Sequence, residues 1–152
     1  MQKTVIVVKG ETNSGKTSSI KIAYEKLIEN ERPIQTVEFK FIDCCDFRSV
    51  LILLNHRIGF LSYGDEYKKL KQHITALKES QCSIIICACS VKEMGDDEAE
   101  TCKAISSLEP EYEIKFIDKP RSKHRLKKYR NAENMSFAEK SYNSIIRAIN
   151  EN

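Results

Sequence analysis

The 152-residue sequence lacks any apolar run that approaches the roughly 20 residues a helix needs to cross a membrane, so no membrane span is expected. It also lacks a strong charge imbalance, because 25 basic residues stand against 22 acidic ones, for a formal net charge of +3. Such a balance does not argue for nucleic acid, and any basic binding site must be local. The absence of internal repeats and low-complexity linkers predicts a single domain over 1–152, with 41% hydrophobic residues for its core.

The six cysteines lack the spacing of a metal site. They are Cys44, Cys45, Cys82, Cys87, Cys89 and Cys102. No two form a C-x-x-C pair and only three histidines could join them, so zinc is not indicated. Because the chain enters a strand pattern directly, without a signal peptide, we expect a reducing cytoplasm rather than a secreted disulfide framework. Cys87 and Cys89 fall on one face of a strand pattern and are interpreted as small core residues.

The most informative stretch spells G-E-T-N-S-G-K-T between an apolar run at 5–8 and a helical stripe that begins at Ile20. Its two glycines let the backbone curl so that successive N–H groups surround a phosphate at a helix N-terminus. Lys16 would reach the β- and γ-phosphate oxygens, and the Thr17 hydroxyl would ligate Mg²⁺. A turn that only joins a strand to a helix has no need of a lysine and a threonine at positions 16 and 17. The nucleotide-binding residues predicted here are Gly10, Glu11, Thr12, Asn13, Ser14, Gly15, Lys16, Thr17 and Ser18.

This stretch resembles the Walker A motif of the P-loop NTPases, and the match covers residues 10–17. By its size the chain is similar to small, bacterial-type, single-domain ATP-binding proteins of that superfamily. The resemblance implies a mostly parallel sheet flanked by helices, binding of Mg²⁺ with a nucleotide, and often hydrolysis or phosphoryl transfer. It does not select among these activities, because one fold hosts many functions.

The rest of the chain continues the α/β pattern. Residues 35–42 alternate Val37, Phe39 and Phe41 with polar neighbours, which predicts a half-buried strand. A further strand pattern is a hairpin around Asn55-His56, with arms at 49–54 and 57–61. A continuous apolar run at 82–89 and a short last run at 113–117 predict two more strands.

Helical stripes follow at 67–77, at 99–108 and from Ser136, whose spacing to Glu139 fits a capping box. This order of elements predicts a three-layer α/β sandwich like that of the P-loop NTPases. Its sheet is mostly parallel with an antiparallel hairpin, and helices cover both faces.

The hairpin is similar in arrangement to that of the small GTPases, where it brings a D-x-x-G segment to the γ-phosphate. Here it delivers Gly64-Asp65 instead, and the position of the guanine-reading N-K-x-D reads Asp-Lys-Pro-Arg at 118–121. We therefore expect ATP rather than GTP. Asp65 is our candidate for orienting Mg²⁺ or water, and the alternative is that it only caps the following helix.

Four other polar residues are weaker candidates. Asp43 and Asp46 follow the strand pattern at 35–42, and we interpret them as surface turn residues. The alternative is that Asp46-Phe47-Arg48 resembles the acceptor-binding D-x-x-R of small-molecule kinases, although the spacing differs. Ser90 and Lys92 open the loop Ser90–Asp97 at the sheet edge where open α/β sheets bind ligands.

A basic segment at 119–130 contains seven cations in twelve residues. They are Lys119, Arg121, Lys123, Arg125, Lys127, Lys128 and Arg130. The segment could be a solvated loop, or a lid that brings Arg121 and Arg125 to the nucleotide. The third alternative is that the segment is a patch that binds nucleic acid.

The sequence therefore predicts a slow, Mg²⁺-dependent NTP hydrolase that binds ATP (or GTP), with Lys16 and Asp65 as catalytic residues and Thr17 and Asp65 as metal ligands. Two alternatives stay open. One is a nucleotide-dependent switch that controls a protein partner, and the other is a small-molecule kinase.

Overall fold

The computed structural model describes residues 2–32, 34–92 and 99–152. Within these ranges the chain forms six strands and four helices. In chain order they are β1 (Lys3–Glu11), α1 (Lys16–Asn30), β2 (Ile34–Phe41), β3 (Phe47–Leu53), β4 (His56–Leu61), α2 (Tyr67–Glu79), β5 (Ile84–Val91), α3 (Glu100–Ser106), β6 (Tyr112–Asp118) and α4 (Lys127–Asn150). The predicted α/β class is confirmed.

The strands form one mixed sheet in the order β2-β3-β4-β5-β1-β6. Only β3 runs against its neighbours, and the other described strand pairs are parallel, so the predicted mostly parallel sheet is confirmed. The β3–β4 hairpin turns at Leu54 and Asn55, whose φ values of 50° and 66° suit a tight two-residue turn. β5 lies between this hairpin and β1, so the hairpin does not pair with β1.

Helices cover both faces of the sheet because its central strands are apolar on both sides. Val5 and Val7 of β1 pack in one core with residues of α2 and α3, whereas Ile6 and Val8 pack in the other with residues of α1 and α4. This alternation follows from the two-residue period of a strand. No helix in the described part of the chain is long and apolar enough to cross a membrane.

The last helix begins earlier than the sequence predicts. α4 starts at Lys127, with Leu126 in the cap position, so Ser136 lies inside the helix and the predicted capping box is wrong. The buried residues of α4 begin at Ala138. The earlier turns lie mostly in solvent and therefore show no apolar periodicity from which their start could be read.

The strand β2 is confirmed, but the prediction that it is half-buried is wrong. Val37 and Phe39 are exposed, and Phe41 is 71% exposed. β2 is an edge strand of the described sheet, where β3 is its one neighbour, and its aromatic rings pack on one another and on Phe47. The alternation in this strand therefore reflects aromatic contacts at the sheet edge and not a buried face.

Candidate functional site

The candidate site lies at the edge of the sheet where the parallel strands end. The loop 10–17 starts with the last two residues of β1, which still pair with β5, and ends with the first two of α1. Asp65 comes shortly after β4, and Ser90 lies near the end of β5. Because β3 runs in the opposite direction, its start at Asp46-Phe47 lies at the same edge. Open α/β sheets place their ligands in this position.

The loop 10–17 needs both of its glycines. Gly15 has φ 89°, and a Cβ atom there would collide with the side chain of Asn134 in α4. A Cβ at Gly10 would collide with the backbone carbonyl of Lys119. The curl is closed by the Ser14 N–H, which donates to the Glu11 carbonyl at 3.1 Å. The spacing of the two glycines therefore reflects close packing against two later segments as well as the curl itself.

Lys16 is the buried cation of this loop. Its side chain is 6% exposed, and Nζ donates to the Glu11 carbonyl at 2.7 Å and lies 3.5 Å from the Ser14 hydroxyl. Burial lowers the pKa of Lys16, and the nearby negative charge of Asp65 acts in the opposite direction. No described carboxylate forms an ion pair with it. Among the described residues, the hydrogen-bond partners of the ammonium are thus neutral oxygens.

Thr17 is held by an aspartate that the sequence interpretation placed on the surface. The Thr17 hydroxyl donates to Asp46 Oδ1 at 3.0 Å, and the Ser62 hydroxyl donates to the same oxygen at 2.9 Å. Asp46 is only 8% exposed, and burial raises its pKa although both hydrogen bonds act to lower it. The interpretation of Asp46 as a surface turn residue is therefore wrong.

Asp43 behaves as the turn residue that was expected. It is exposed, and its Oδ1 accepts hydrogen bonds from the N–H groups of Cys45, at 2.9 Å, and of Asp46, at 2.7 Å. These backbone hydrogen bonds lower the pKa of Asp43. The turn 43–46 is therefore ordered by one carboxylate and delivers Asp46 to Thr17.

Asp65 lies on the open side of the loop. It lines a cleft of about 280 Å³ together with Lys16 and Thr17, and its Oδ1 accepts a hydrogen bond from the Ser90 hydroxyl. The helix cap position belongs to Glu66, so the alternative that Asp65 only caps α2 is wrong.

Gly64 places Asp65 against β5. A Cβ at Gly64 would collide with the backbone of Ala88, and the Gly64 carbonyl accepts a hydrogen bond from the Ser90 N–H at 2.9 Å. Asp65 and Ser90 also line a second, larger cleft of about 640 Å³, together with Lys92. The rest of the predicted loop after β5, at 93–97, lies outside the described residues.

The first residue of the basic segment is part of the loop's support. Lys119 is 1% exposed; its Nζ donates to the Ser14 carbonyl and its N–H donates to the Lys9 carbonyl at 2.7 Å. Its ammonium lies 5.0 Å from the centre of the Phe137 ring, and burial lowers its pKa. The sequence interpretation missed this role, since a lysine in a basic run carries no local signal that it is buried.

Of the two arginines predicted to reach the nucleotide, only Arg121 contacts the loop. Its Nη2 donates to the Thr12 carbonyl at 2.8 Å, and its Nε lies 3.8 Å from a carboxylate oxygen of Glu11. Arg121 lines a cleft of about 360 Å³ together with Arg130 and Lys127, on the α4 side of the loop. Arg125 is exposed and is not among the described residues that line this cleft. Its carbonyl accepts from Arg130 Nη1 at 2.6 Å.

The oxygen donors at this edge suit Mg²⁺ rather than a softer metal. Thr17, Asp46 and Asp65 offer one hydroxyl and two carboxylates, and no group of three or more His, Cys, Asp or Glu is arranged to hold a metal anywhere in the described ranges. Mg²⁺ is commonly held by one or two carboxylates together with substrate phosphates. The residues therefore fit Mg²⁺ that arrives with a phosphate ligand.

Comparison with known proteins gives no relative from which a function could be transferred. No family model, no curated protein and no solved structure matches this chain. The function must therefore be argued from the residues of the site.

Proposed function

We propose that the chain binds a Mg²⁺–nucleoside triphosphate, ATP in preference to GTP, at the loop 10–17 and hydrolyses its γ-phosphate slowly. The observation that carries this proposal is the buried ammonium of Lys16, whose partners are a backbone carbonyl and a hydroxyl, with no ion-paired carboxylate in the described part of the chain. A buried charge is costly unless an opposite charge compensates it. A phosphate in the adjoining cleft would supply that charge.

The start of α1 adds a second attraction for phosphate. Its first turn contains no acidic residue, and the cap position is Gly15, which has no side chain to satisfy the free N–H groups. The helix dipole and these unpaired donors favour an anion at this end. Phosphate oxygens near Lys16 would therefore also meet the N–H groups of the first turn.

Thr17 and the two aspartates have distinct parts in this proposal. Because the Thr17 hydroxyl donates its proton to Asp46, the lone pairs of its oxygen stay free for Mg²⁺. Asp46 would act through Thr17, and Asp65 would approach the metal or its waters from the open cleft. The bound Mg²⁺ would neutralise the charge that develops on the phosphate oxygens.

Asp65 is also the residue best placed to accept a proton from water. It is exposed, lies beside Lys16 and Thr17, and is oriented by the Ser90 hydroxyl. In hydrolysis the water oxygen forms a bond to the γ-phosphorus, and the bond to the β,γ-bridging oxygen breaks. The proton of the water passes to the Asp65 carboxylate, while Lys16 stabilises the charge on the leaving oxygen.

The preference for ATP rests on the residues that stand where a guanine reader is expected. The Lys119 ammonium donates to the Ser14 carbonyl, and the Arg121 guanidinium donates to the Thr12 carbonyl. These side chains support the loop and are not free to read a base. We expect the base and ribose to lie in the cleft beside Arg121, where a purine can be bound without a carboxylate that selects guanine.

One observation favours a second function, a nucleotide-dependent switch that acts on a protein partner. Asp46, which precedes β3, and Ser62, which follows β4, both contact the Thr17 hydroxyl. A change in what Thr17 binds would therefore act on the start of β3 and on the end of β4 together. A switch of this kind needs nucleotide binding but not hydrolysis.

Removal of the Lys16 charge tests the proposal. Lys16→Ala should weaken binding of a fluorescent ATP analogue in the presence of Mg²⁺ by roughly 10- to 150-fold, as expected for the loss of a hydrogen bond to a charged group. Lys21→Ala is the matched control, because Lys21 is an exposed lysine of the same helix. Circular dichroism would show that both variants are folded. Equal affinity of the two variants would contradict the proposed site.

A further inference from the structure

Cys44 and Cys45 differ from the other four cysteines of the chain. Both are exposed, whereas Cys82, Cys87, Cys89 and Cys102 are buried. Their sulfur atoms lie 3.4 Å apart, close enough for a thiol–thiol hydrogen bond. The pair is therefore accessible to small thiol reagents and is already arranged for a reaction that joins both sulfurs.

The pair lies inside the turn that holds the Thr17 partner. The Cys45 N–H donates to Asp43 Oδ1, and the N–H of the next residue, Asp46, donates to the same oxygen. Asp46 in turn accepts hydrogen bonds from Thr17 and Ser62. Because Asp46 directly follows Cys45, a change of backbone conformation at 44–45 would reach Thr17 through the one hydrogen bond between Asp46 and Thr17.

We propose that Cys44 and Cys45 form a modification site at which a low-molecular-weight disulfide oxidises both thiols together, and that this oxidation weakens Mg²⁺–nucleotide binding by displacing Asp46 from Thr17. The first half of the proposal concerns the thiols alone. The second half rests on the proposed function of the loop 10–17.

The reaction proceeds by two exchanges. The Cys44 thiolate attacks one sulfur of the reagent R–S–S–R, a mixed disulfide forms, and one R–S⁻ leaves. Cys45 then loses its proton and attacks the Cys44 sulfur, so that the Cys44–Cys45 disulfide forms and the second R–S⁻ leaves. The two protons of the original thiols end on the two R–S⁻ groups as R–SH. Two electrons pass to the reagent, which is the oxidant.

The two thiols are interchangeable in this reaction, because both are exposed and either one can make the first attack before the other closes the same disulfide. Burial raises the pKa of Cys82 to about 12, and the other buried thiols are shielded from the reagent, so they serve as internal controls.

Closure of the bond must change the turn. Consecutive Cα atoms are about 3.8 Å apart across a trans peptide, while disulfides usually join Cα atoms roughly 4.4–6.8 Å apart. The sulfurs must also move from 3.4 Å to a bond length of about 2.0 Å. Because the Cα separation of adjacent residues cannot lengthen, the ring can close only by rotation of backbone and side-chain torsions at 44–45, and we expect the Cys45 N–H to lose its hydrogen bond to Asp43.

The thiol chemistry is tested on the full chain with glutathione disulfide as the reagent. Peptide mass spectrometry should find that the peptide with Cys44 and Cys45 loses the mass of two hydrogens, while the four buried cysteines stay reduced. Cys44→Ser and Cys45→Ser should each keep a mixed disulfide on the remaining thiol. A mixed disulfide that persists in the wild type, or no reaction before the buried cysteines react, would overturn the paired site.

The coupling is tested by measuring the affinity of the reduced, oxidised and re-reduced protein for a fluorescent ATP analogue with Mg²⁺. Oxidation should weaken binding roughly tenfold, the low end of what loss of a hydrogen bond to a charged group produces, and dithiothreitol should restore it. The double variant Cys44→Ser/Cys45→Ser should bind equally well with and without the oxidant. If the reduced protein binds nucleotide and oxidation changes nothing, the coupling fails while the nucleotide site stands. If the reduced protein does not bind, the proposed function fails, and the coupling built on it fails with it.

Discussion

Asp46 and Asp65 flank the same corner of the loop, at Lys16-Thr17, yet they differ in burial and in partners. Asp46 is 8% exposed and accepts hydrogen bonds from Thr17 and Ser62. Asp65 is exposed, accepts a hydrogen bond from Ser90 and faces an open cleft. The buried carboxylate is suited to fix another side chain, and the exposed one is suited to meet water and ligand. One carboxylate cannot have both environments, so we assign the positioning of Thr17 to Asp46 and the contact with water and ligand to Asp65.

The largest effect is expected when the exposed carboxylate loses its charge. Asp65→Asn should slow phosphate release from ATP by about 100- to 10,000-fold, the usual contribution of a general base, and should weaken affinity for the Mg²⁺–nucleotide far less. A phosphate-release assay beside a binding titration measures both quantities. Wild-type hydrolysis in this variant would rule out Asp65 as the base, and wild-type protein that binds without hydrolysis would favour the switch.

Loss of the buried charge of Asp46 should give the reverse pattern, in which binding is weakened strongly and hydrolysis at saturating nucleotide is affected less than in Asp65→Asn. Asp46→Asn should weaken Mg²⁺-dependent binding by roughly 10- to 100-fold, because a charged partner of Thr17 is removed, and should leave binding without Mg²⁺ unchanged. Titrations with and without EDTA separate these contributions. If Asp46→Asn lowers hydrolysis at saturating nucleotide more than Asp65→Asn does, the division of roles is reversed.

Two serines offer a matched and smaller test. Ser62 donates to Asp46 and Ser90 donates to Asp65. Ser62→Ala should weaken Mg²⁺–nucleotide binding, and Ser90→Ala should slow hydrolysis, each by about 2- to 10-fold, as expected for one neutral hydrogen-bond donor. The same binding and phosphate-release assays apply. Equal effects of both substitutions on both quantities would show that the two carboxylates act as one unit.

The smallest expected effect is on stability as a function of pH, and it contrasts Asp46 with its neighbour Asp43. Burial raises the pKa of Asp46, so the folded protein holds this proton more tightly than the unfolded chain does. Its contribution to stability is present below its ordinary pKa and is lost as the pH rises through the raised pKa. Backbone hydrogen bonds lower the pKa of Asp43, whose contribution is present above its ordinary pKa and is lost as the pH falls through the lowered one.

Urea unfolding of the wild type, Asp46→Asn and Asp43→Asn from strongly acidic to neutral pH checks these signs, with the Asp43 contribution changing below its ordinary pKa and the Asp46 contribution changing above its own. The stability of the wild type relative to Asp46→Asn should fall as the pH rises, and relative to Asp43→Asn it should rise. Slopes of the same sign would show that Asp46 is not buried in solution as it is in the structure.

The sequence predicted the parts of the fold that depend on local patterns. The strand before the loop, the glycines at both ends of it and the helix after it are read from consecutive residues, because sheet and helix periods leave their mark within one element. The start of α4 was missed because its first turns are exposed on most sides and therefore have no apolar stripe.

The parts of the site that were misread depend on contacts distant in sequence. Asp46 lies 29 positions from Thr17 and Lys119 lies 105 positions from Ser14, so neither contact follows from a local pattern. An aspartate after a strand is most often a surface turn residue, and a lysine in a basic run is most often solvated. Only the antiparallel direction of β3, which starts at the edge where β1 ends, makes Asp46 a partner of Thr17.

We propose that the loop 10–17 surrounds the phosphates of a Mg²⁺–nucleotide, and amide chemical shifts in the ¹⁵N-labelled protein would show this residue by residue. On titration with Mg²⁺ and a non-hydrolysable ATP analogue, we expect the largest shifts at the N–H groups of 12–18, with smaller ones at Asp46 and Asp65. Shifts that are absent, or that concentrate away from the sheet edge formed by these residues, would contradict it.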